Sequence, residues 1–169
     1  MSDSASRETV LVAGAGIGGL AAALALVRQG YAVTVLEQAS QLGEIGAGIQ
    51  LGPNAFAAFD ALGIGDKARA KAVYTDQMLM HDALDGSLVA RISTGEAFRQ
   101  RFGNPYAVIH RADVHSALLA GAQETGRINI LTSTAVQRVE QADSSVTVLD
   151  GRGGRYHGVA LVGADGVKS

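Results

Sequence analysis

Thr9-Val10-Leu11-Val12-Ala13-Gly14-Ala15-Gly16-Ile17-Gly18-Gly19, followed by an alanine- and leucine-rich run and closed by Ala32-Val33-Thr34-Val35-Leu36-Glu37, decides the fold. The first five residues read as a parallel strand buried on both faces, because they are apolar without alternation. Gly14, Gly16 and Gly19 occupy the marked places of G-x-G-x-x-G. The spacing predicts a helix over Leu20 to Gln29, ended by Gly30, and a second strand over Ala32 to Leu36 that delivers Glu37. Each part has a physical task. Gly14 turns the chain out of the strand, Gly16 leaves the backbone open to a pyrophosphate, and Gly19 lets helix and strand pack closely. A small residue at Ala23 lies against the sheet. The anion would sit at the helix N-terminus, where unpaired N–H groups and the helix dipole favour negative charge, with Glu37 placed to accept ribose hydroxyls.

Working outward, Thr9 to Val27 is free of charge for 19 residues. A signal peptide or membrane span is disfavoured: Met1 to Glu8 lacks a basic region, and glycines interrupt the run. The 169 residues suit one domain, and with 47% hydrophobic residues they can fill a core. A net charge of −2 with no basic cluster gives no sign of nucleic acid or an anionic membrane. The absence of cysteine excludes disulfides, thiolate nucleophiles and Fe–S clusters, and fits a reducing compartment such as the cytoplasm. His81, His110, His115 and His157 show no metal spacing, and ordinary polar roles are expected for most of them.

Gln38 to Leu51, with Gly43, Gly46 and Gly48, reads as an irregular glycine loop. Pro53-Asn54 opens a helix with Ala55, Phe56, Phe59 and Leu62 inward, ended by Gly63, and a short helix is expected from Asp66 to Ala72. Gln77 to Asp82 and Ser87 to Ile92 flank the Asp85-Gly86 turn of a hairpin. Thr94 to Arg101 is irregular or partly helical. Ala107 to Ile109 is a short strand, and Asp113 caps a helix reaching about Glu124. Ile128 to Leu131 reads as a third parallel strand, Ala135 to Glu140 and Ser145 to Leu149 as an antiparallel meander, and Gly158 to Val162 as another buried strand. It runs into Gly163-Ala164-Asp165-Gly166. A helix should follow such a turn, and Val167-Lys168-Ser169 is too short to be one, so the chain is expected to be part of something longer.

Four motifs in this order carry a resemblance: Gly14 to Gly19 with Glu37-Gln38; Gly46-Ala47-Gly48-Ile49-Gln50 with Gly52-Pro53-Asn54; His110-Arg111-Ala112-Asp113-Val114-His115; and Gly163-Ala164-Asp165-Gly166 with Ser169. Along essentially all of its length the chain resembles the N-terminal part of class A flavoprotein monooxygenases, the FAD-dependent aromatic hydroxylases of the p-hydroxybenzoate hydroxylase type. It looks most like the branch of 3-hydroxybenzoate 6-hydroxylases and of salicylate and 6-hydroxynicotinate hydroxylases. The resemblance implies an α/β fold: a Rossmann-like FAD-binding βαβ unit with a parallel sheet, an antiparallel meander and a hairpin insertion, incomplete at the C-terminus. Residues 1–169 would be the N-terminal part of the FAD-binding domain, with 70–110 an inserted, substrate-side segment.

It also implies roles. Gly14, Gly16, Ile17, Gly18 and Gly19 would hold the FAD pyrophosphate. Glu37 would bind the adenosine ribose with Gln38 beside it, and the Val136 backbone would meet the adenine. Gly48 would lie near the flavin. Arg111 would reach the phosphate–ribityl region, where a guanidinium fork suits phosphate oxygens; the plain alternative is a surface ion-pair partner of Asp113. Asp165 and Gly166 would line the pyrophosphate and nicotinamide side. Asp76 and Tyr106 fall near the aromatic substrate, although a solvated loop carboxylate and a packing residue are the plain readings of those two. FAD would be the cofactor, NADH or NADPH and O2 the co-substrates, and a phenolic aromatic acid the substrate. No side chain of this segment is assigned as the catalytic base, and the segment alone is expected neither to hydroxylate nor to hold FAD tightly. Two other readings stay open: another FAD- or NAD-binding oxidoreductase, and a non-catalytic FAD-binding segment. The oligomeric state is left open.

Overall fold

A computed structural model describes residues 8–43 and 46–166. The chain divides into two compact units, residues 1–44 with 115–169, and residues 45–114.

In the first unit, β1 (Thr9–Ala13) is central to a four-stranded parallel sheet of order β12-β1-β2-β8, with β2 (Ala32–Leu36), β8 (Ile128–Leu131) and β12 (Ala160–Gly163). Register explains why β1 is apolar throughout. Val10 and Val12 pair with Val33 and Val35 on one face, and Leu11 with Thr34 and Ala13 with Leu36 on the other. Both faces are covered. Helix α1 (Ile17–Arg28) buries Leu20, Ala23, Leu24 and Val27. A three-stranded antiparallel sheet, β9 (Val136–Gln141), β10 (Val146–Asp150) and β11 (Arg155–Gly158), sets Val146 and Val148 against Leu11 and Leu36. Full burial of such side chains stabilises by about 1.5–3 kcal/mol each.

Helix α1 begins three residues before the expected Leu20, with Gly16 as its N-cap and Leu20 N–H donating to Gly16 O at 3.0 Å. Ile17, Gly18 and Gly19 therefore form its first turn. Glycine is a poor helix former, but first-turn N–H groups need no intrahelical acceptor and tertiary packing overrides the propensity.

The expected buried strand Gly158 to Val162 needs correction. It breaks into the end of β11 and the start of β12, and β12 is half-buried or exposed. Gly158 crosses β1 so closely that a Cβ there would lie 2.8 Å from Thr9 O and 2.9 Å from Leu11 Cγ. Val159 N–H then donates to Thr9 O at 2.8 Å, and β12 forms an edge of the sheet among the described residues.

The turn between β10 and β11 is organised by Asp150. Its carboxylate accepts from Arg152 N–H (2.8 Å), Gly154 N–H (2.7 Å) and the Tyr156 hydroxyl (2.9 Å). The two backbone donors, with Tyr156, hold its pKa below the usual carboxylate value. A carboxylate with a lowered folded-state pKa stabilises above its unfolded pKa, about 4, and loses that contribution as pH falls through the lowered value. Asp150→Asn should therefore cost stability at neutral pH and approach the wild type under acid, as read by urea unfolding at pH 7 and pH 3.

The second unit holds β3 (Gly48–Leu51), α2 (Pro53–Leu62), α3 (Gly65–Arg69), β4 (Val73–Tyr74), β5 (Gln77–His81), β6 (Leu88–Ser93), α4 (Glu96–Phe102) and β7 (Ala107–His110). Strands β3 and β4 flank β7 antiparallel, so the last residues of the expected glycine loop are a strand, held by pairing rather than propensity. Phe56 is fully buried, edge-on to Phe59, with the Arg69 guanidinium 5.4 Å over its ring. Strands β5 and β6 form the expected hairpin. Cross-strand pairing puts Met78, Met80, Ala90 and Ile92 on one face, where Met80 and Ile92 stand open to solvent.

Helix α5 (Arg111–Glu124) begins two residues before Asp113. Asp113 lies in its first turn, and the Ala112 N–H instead donates to His110 Nδ1 at 3.3 Å. Asp113 is thus a dipole partner rather than the expected cap.

Candidate functional site

Two corners follow β1 and β12 and meet at the C-terminal end of the parallel sheet. The β1–β12 ladder continues one step beyond the strands, with Ala164 N–H donating to Ala13 O at 2.8 Å. That bond brings the Gly163-Ala164-Asp165-Gly166 corner against Gly14. A Cβ on Gly14 would collide with the Ala164 carbonyl and stand 3.1 Å from Asp165 Cα, and Gly14 has φ +100°. Gly19 is required for a similar reason, since its Cβ would overlap the Gly14 carbonyl. By contrast, a Cβ on Gly18 would meet nothing within 4 Å. The turn therefore packs tightly inward at Gly14 and Gly19 and stays open at Gly18, where the α1 N-terminus presents its N–H groups. That is the cradle an anion needs.

Glu37 closes the second side. Its Oε2 accepts from Ala15 N–H at 2.7 Å and its Oε1 from Ala39 N–H at 2.8 Å. Each carboxylate oxygen keeps acceptor capacity for a further donor such as a ribose hydroxyl. Gln38 beside it is exposed. The 37–39 segment is tied to the entry of β9, through Ser133 N–H to Ala39 O at 2.9 Å and Thr134 N–H to Glu37 O at 2.8 Å. Val136 opens β9 just beyond that tie, at the irregularity opposite Asp150. Gly14, Gly16, Ile17, Gly18, Gly19, Glu37, Gln38, Val136, Asp165 and Gly166 all belong to the first unit. Asp165 and Gly166 are exposed at the corner, Gly166 with φ +91°.

The remaining expected residues belong to the second unit. Gly48 starts β3 opposite His110. Arg111 is exposed, donates its backbone N–H to Ala47 O at 3.3 Å, and lays its stem against Gly46, where a Cβ would stand 3.0 Å from the Arg111 Cβ. Asp76 is exposed, with its backbone carbonyl held by Thr94 N–H at 2.8 Å. Tyr106 is half-buried and edge-on to Phe98 at 6.5 Å, and its hydroxyl is buried without a hydrogen-bond partner among the described residues. A buried hydroxyl left unsatisfied is costly unless a ligand uses it.

The family model described as FAD binding domain matches residues 7–169. The chain belongs to the FAD-binding domain family. This FAD-binding domain is 72% identical over all 169 residues to the 3-hydroxybenzoate 6-hydroxylase of Polaromonas naphthalenivorans, of whose length it covers 42%. It is 50% identical over 94% of its residues to the 3-hydroxybenzoate 6-hydroxylase of Klebsiella oxytoca, covering 40% of that protein. Among solved structures, it superposes on p-nitrophenol 4-monooxygenase from Pseudomonas putida DLL-E4 with TM-score 0.85 and 25% identity, over 96% of this chain and 42% of that one. It also matches Klebsiella pneumoniae HpxO complexed with FAD and uric acid, with TM-score 0.78 and 28% identity, over 94% and 39%. The chain thus spans well under half the length of the relatives it matches.

Sequence reasoning about this FAD-binding domain missed three contributors: Ala164, which presses on Gly14; Thr94, which is 1% exposed and holds the Thr75-Asp76 backbone through Oγ1 to Thr75 O at 2.6 Å; and His115. Ala164 and His115 stand inside the fourth and third motifs, yet no local pattern gives any of the three its role, because each acts on residues distant in the chain. The fourth motif's Ser169 lies outside the described residues, as do Val167, Lys168 and most of the Met1 to Glu8 leader. No helix among the described residues is long and apolar enough to cross a membrane, and no cluster of three or more potential metal ligands forms among them.

Proposed function

We propose that this chain is the FAD-binding segment of a flavin-dependent hydroxylase of a phenolic aromatic acid of the 3-hydroxybenzoate type, using NADH or NADPH and O2. The observation that carries it is the abutment of the Gly14 turn and the Ala164-Asp165 corner, joined to 72% identity with a 3-hydroxybenzoate 6-hydroxylase. Domain organisation follows the same reading: residues 1–169 form the N-terminal part of the FAD-binding domain, and 70–110 belong to a substrate-side insertion.

The residues fit FAD, because Gly14 and Gly19 let the two corners and the start of α1 close up while the helix N-terminus at Gly18 stays open for a diphosphate. Gly14, Gly16, Ile17, Gly18 and Gly19 bind the diphosphate. Glu37, with Gln38 beside it, receives the adenosine ribose, and the Val136 backbone meets the adenine. Arg111 neutralises phosphate in the ribityl region and Gly48 gives room near the flavin. Asp165 and Gly166 line the side on which the nicotinamide arrives. When bound, FAD supplies the reduction by NAD(P)H and the activation of O2. The protein's part is to orient the cofactor and keep water from the reacting centre.

Asp76 and Tyr106 face the aromatic acid. The Tyr106 hydroxyl supports this, being buried and without a partner among the described residues. Tyr106→Phe removes the unsatisfied group, so the substrate-free protein should gain about 1 kcal/mol of stability while KM for the aromatic acid rises about tenfold. Denaturant unfolding and steady-state kinetics check the two effects, and a stability gain with unchanged KM would assign the ring to packing only.

The overall test is expression of the full-length gene product. A yellow protein that oxidises NADH or NADPH faster with 3-hydroxybenzoate, and releases 2,5-dihydroxybenzoate by mass spectrometry, is the expected result. A colourless protein with a tightly bound nicotinamide would favour the dehydrogenase reading, and a yellow protein inert to every phenolic acid the non-catalytic one.

A further inference from the structure

We infer that His115 is a positioning residue for the cofactor turn, acting with Glu37 to lock two successive peptide planes of Gly14-Ala15-Gly16. The inference rests on the reading of that turn as the diphosphate cradle. His115 is 3% exposed, on the part of α5 that belongs to the first unit. Its Nε2 lies 2.8 Å from Ala15 O, across 100 residues of sequence. A carbonyl only accepts, so Nε2 carries the proton and donates.

The geometry of the trans peptide gives this bond its consequence. A C=O and the following N–H point in opposite directions in one plane. With Ala15 O drawn into the buried imidazole, the Gly16 N–H is turned the other way, out of the interior and to the open side of the turn. The neighbouring plane is set in the same manner. Glu37 Oε2 accepts from Ala15 N–H at 2.7 Å, so the Gly14 carbonyl of that peptide points oppositely. There it presses on Gly19, leaving no room for a Cβ. The two side chains, one at the end of β2 and one on α5, thus hold the Ala15 residue from both sides, and glycine's backbone freedom on either flank is spent before a ligand arrives. Preorganised donors lose less on binding than donors that must first be ordered.

The proposal predicts that the donor at Nε2 matters, rather than the ring. In the full-length protein, Gln at this position carries an amide N–H at the reach of Nε2, whereas Asn is too short and Met fills the volume without a donor. FAD titration of the apoproteins should show His115→Met and His115→Asn about tenfold weaker than wild type and His115→Gln within about threefold. Amide hydrogen exchange gives a cofactor-free readout: Ala15 protection should fall in His115→Met and persist in His115→Gln. Wild-type affinity in His115→Met, or His115→Gln as weak as His115→Met, overturns the inference. If the Met and Asn variants do not fold, a folded His115→Gln that binds FAD tenfold more weakly than wild type overturns it, and one that binds within threefold upholds it. A wild-type protein that binds no FAD while Ala15 protection still depends on the His115 donor defeats the cofactor reading and leaves the clamp standing.

Discussion

Gly14→Ala should abolish measurable FAD binding, with an affinity loss of at least about a hundredfold, and should lower the stability of the apoprotein as well. Two costs add. The residue sits at φ +100°, which an L side chain rarely adopts; such strain costs on the order of 1–3 kcal/mol. The new Cβ also collides with the Ala164 carbonyl, which is backbone in a residue whose N–H donates to Ala13 O, so the corner cannot swing away cheaply. Relief requires parting the two corners, and that parts the proposed site. Gly18→Ala is the matched control. Its Cβ meets nothing within 4 Å and its residue is in the first turn of α1, so the apoprotein should be as stable as wild type or slightly more so. If a diphosphate lies over Gly18, the same methyl blocks it, and FAD affinity falls without a fall in stability. Isothermal titration with FAD, together with urea unfolding of both apoproteins, reads the pair. Full FAD affinity in Gly14→Ala would sink the assignment of this turn.

Glu37→Gln is expected to weaken FAD by about ten- to a hundredfold. The carboxylate has two acceptor oxygens and uses both on backbone N–H groups, Ala15 at 2.7 Å and Ala39 at 2.8 Å. An amide has one oxygen, so its NH2 must face one of those N–H groups, donor against donor. A charge-assisted bond is worth about 1.5–3 kcal/mol, and RT ln 10 is about 1.4 kcal/mol. The loss falls on the apoprotein through the Ala15 plane and on the complex through the ribose. Glu37→Asp retains the charge with a shorter reach and should fall between wild type and Gln. Fluorescence titration with FAD measures the series. Equal affinity of the Gln variant and wild type would count against both the ribose contact and the preorganising role of Glu37.

Much of the fold was legible because its signals are local. β1, β2 and β8 have the boundaries that their apolar runs predict, and the Asp85-Gly86 turn placed the hairpin. The less legible parts depend on partners. Gly48–Leu51 reads as loop by composition and is a strand because β7 pairs with it. β12 has the apolar run of a buried strand, and its burial depends on neighbours rather than on its own residues. Asp113 has the chemistry of a cap, yet the helix starts at Arg111, where the His110 ring takes the Ala112 N–H.

The site divides in the same way. The sequence by itself determined that a strand, a glycine turn, a helix and an acid follow one another at the spacing a dinucleotide requires, since strand, turn and helix preferences are properties of neighbouring residues. It could also name Asp165-Gly166 by resemblance. Only the tertiary structure decided that Ala164 lies on Gly14, that Gly14 O lies on Gly19, and that a histidine 100 residues away holds Ala15. Those contacts join segments that no local preference relates. They exist because the parallel ladder carries β12 alongside β1 and because α5 from His115 onward belongs to the same unit, where the His115 ring reaches Ala15.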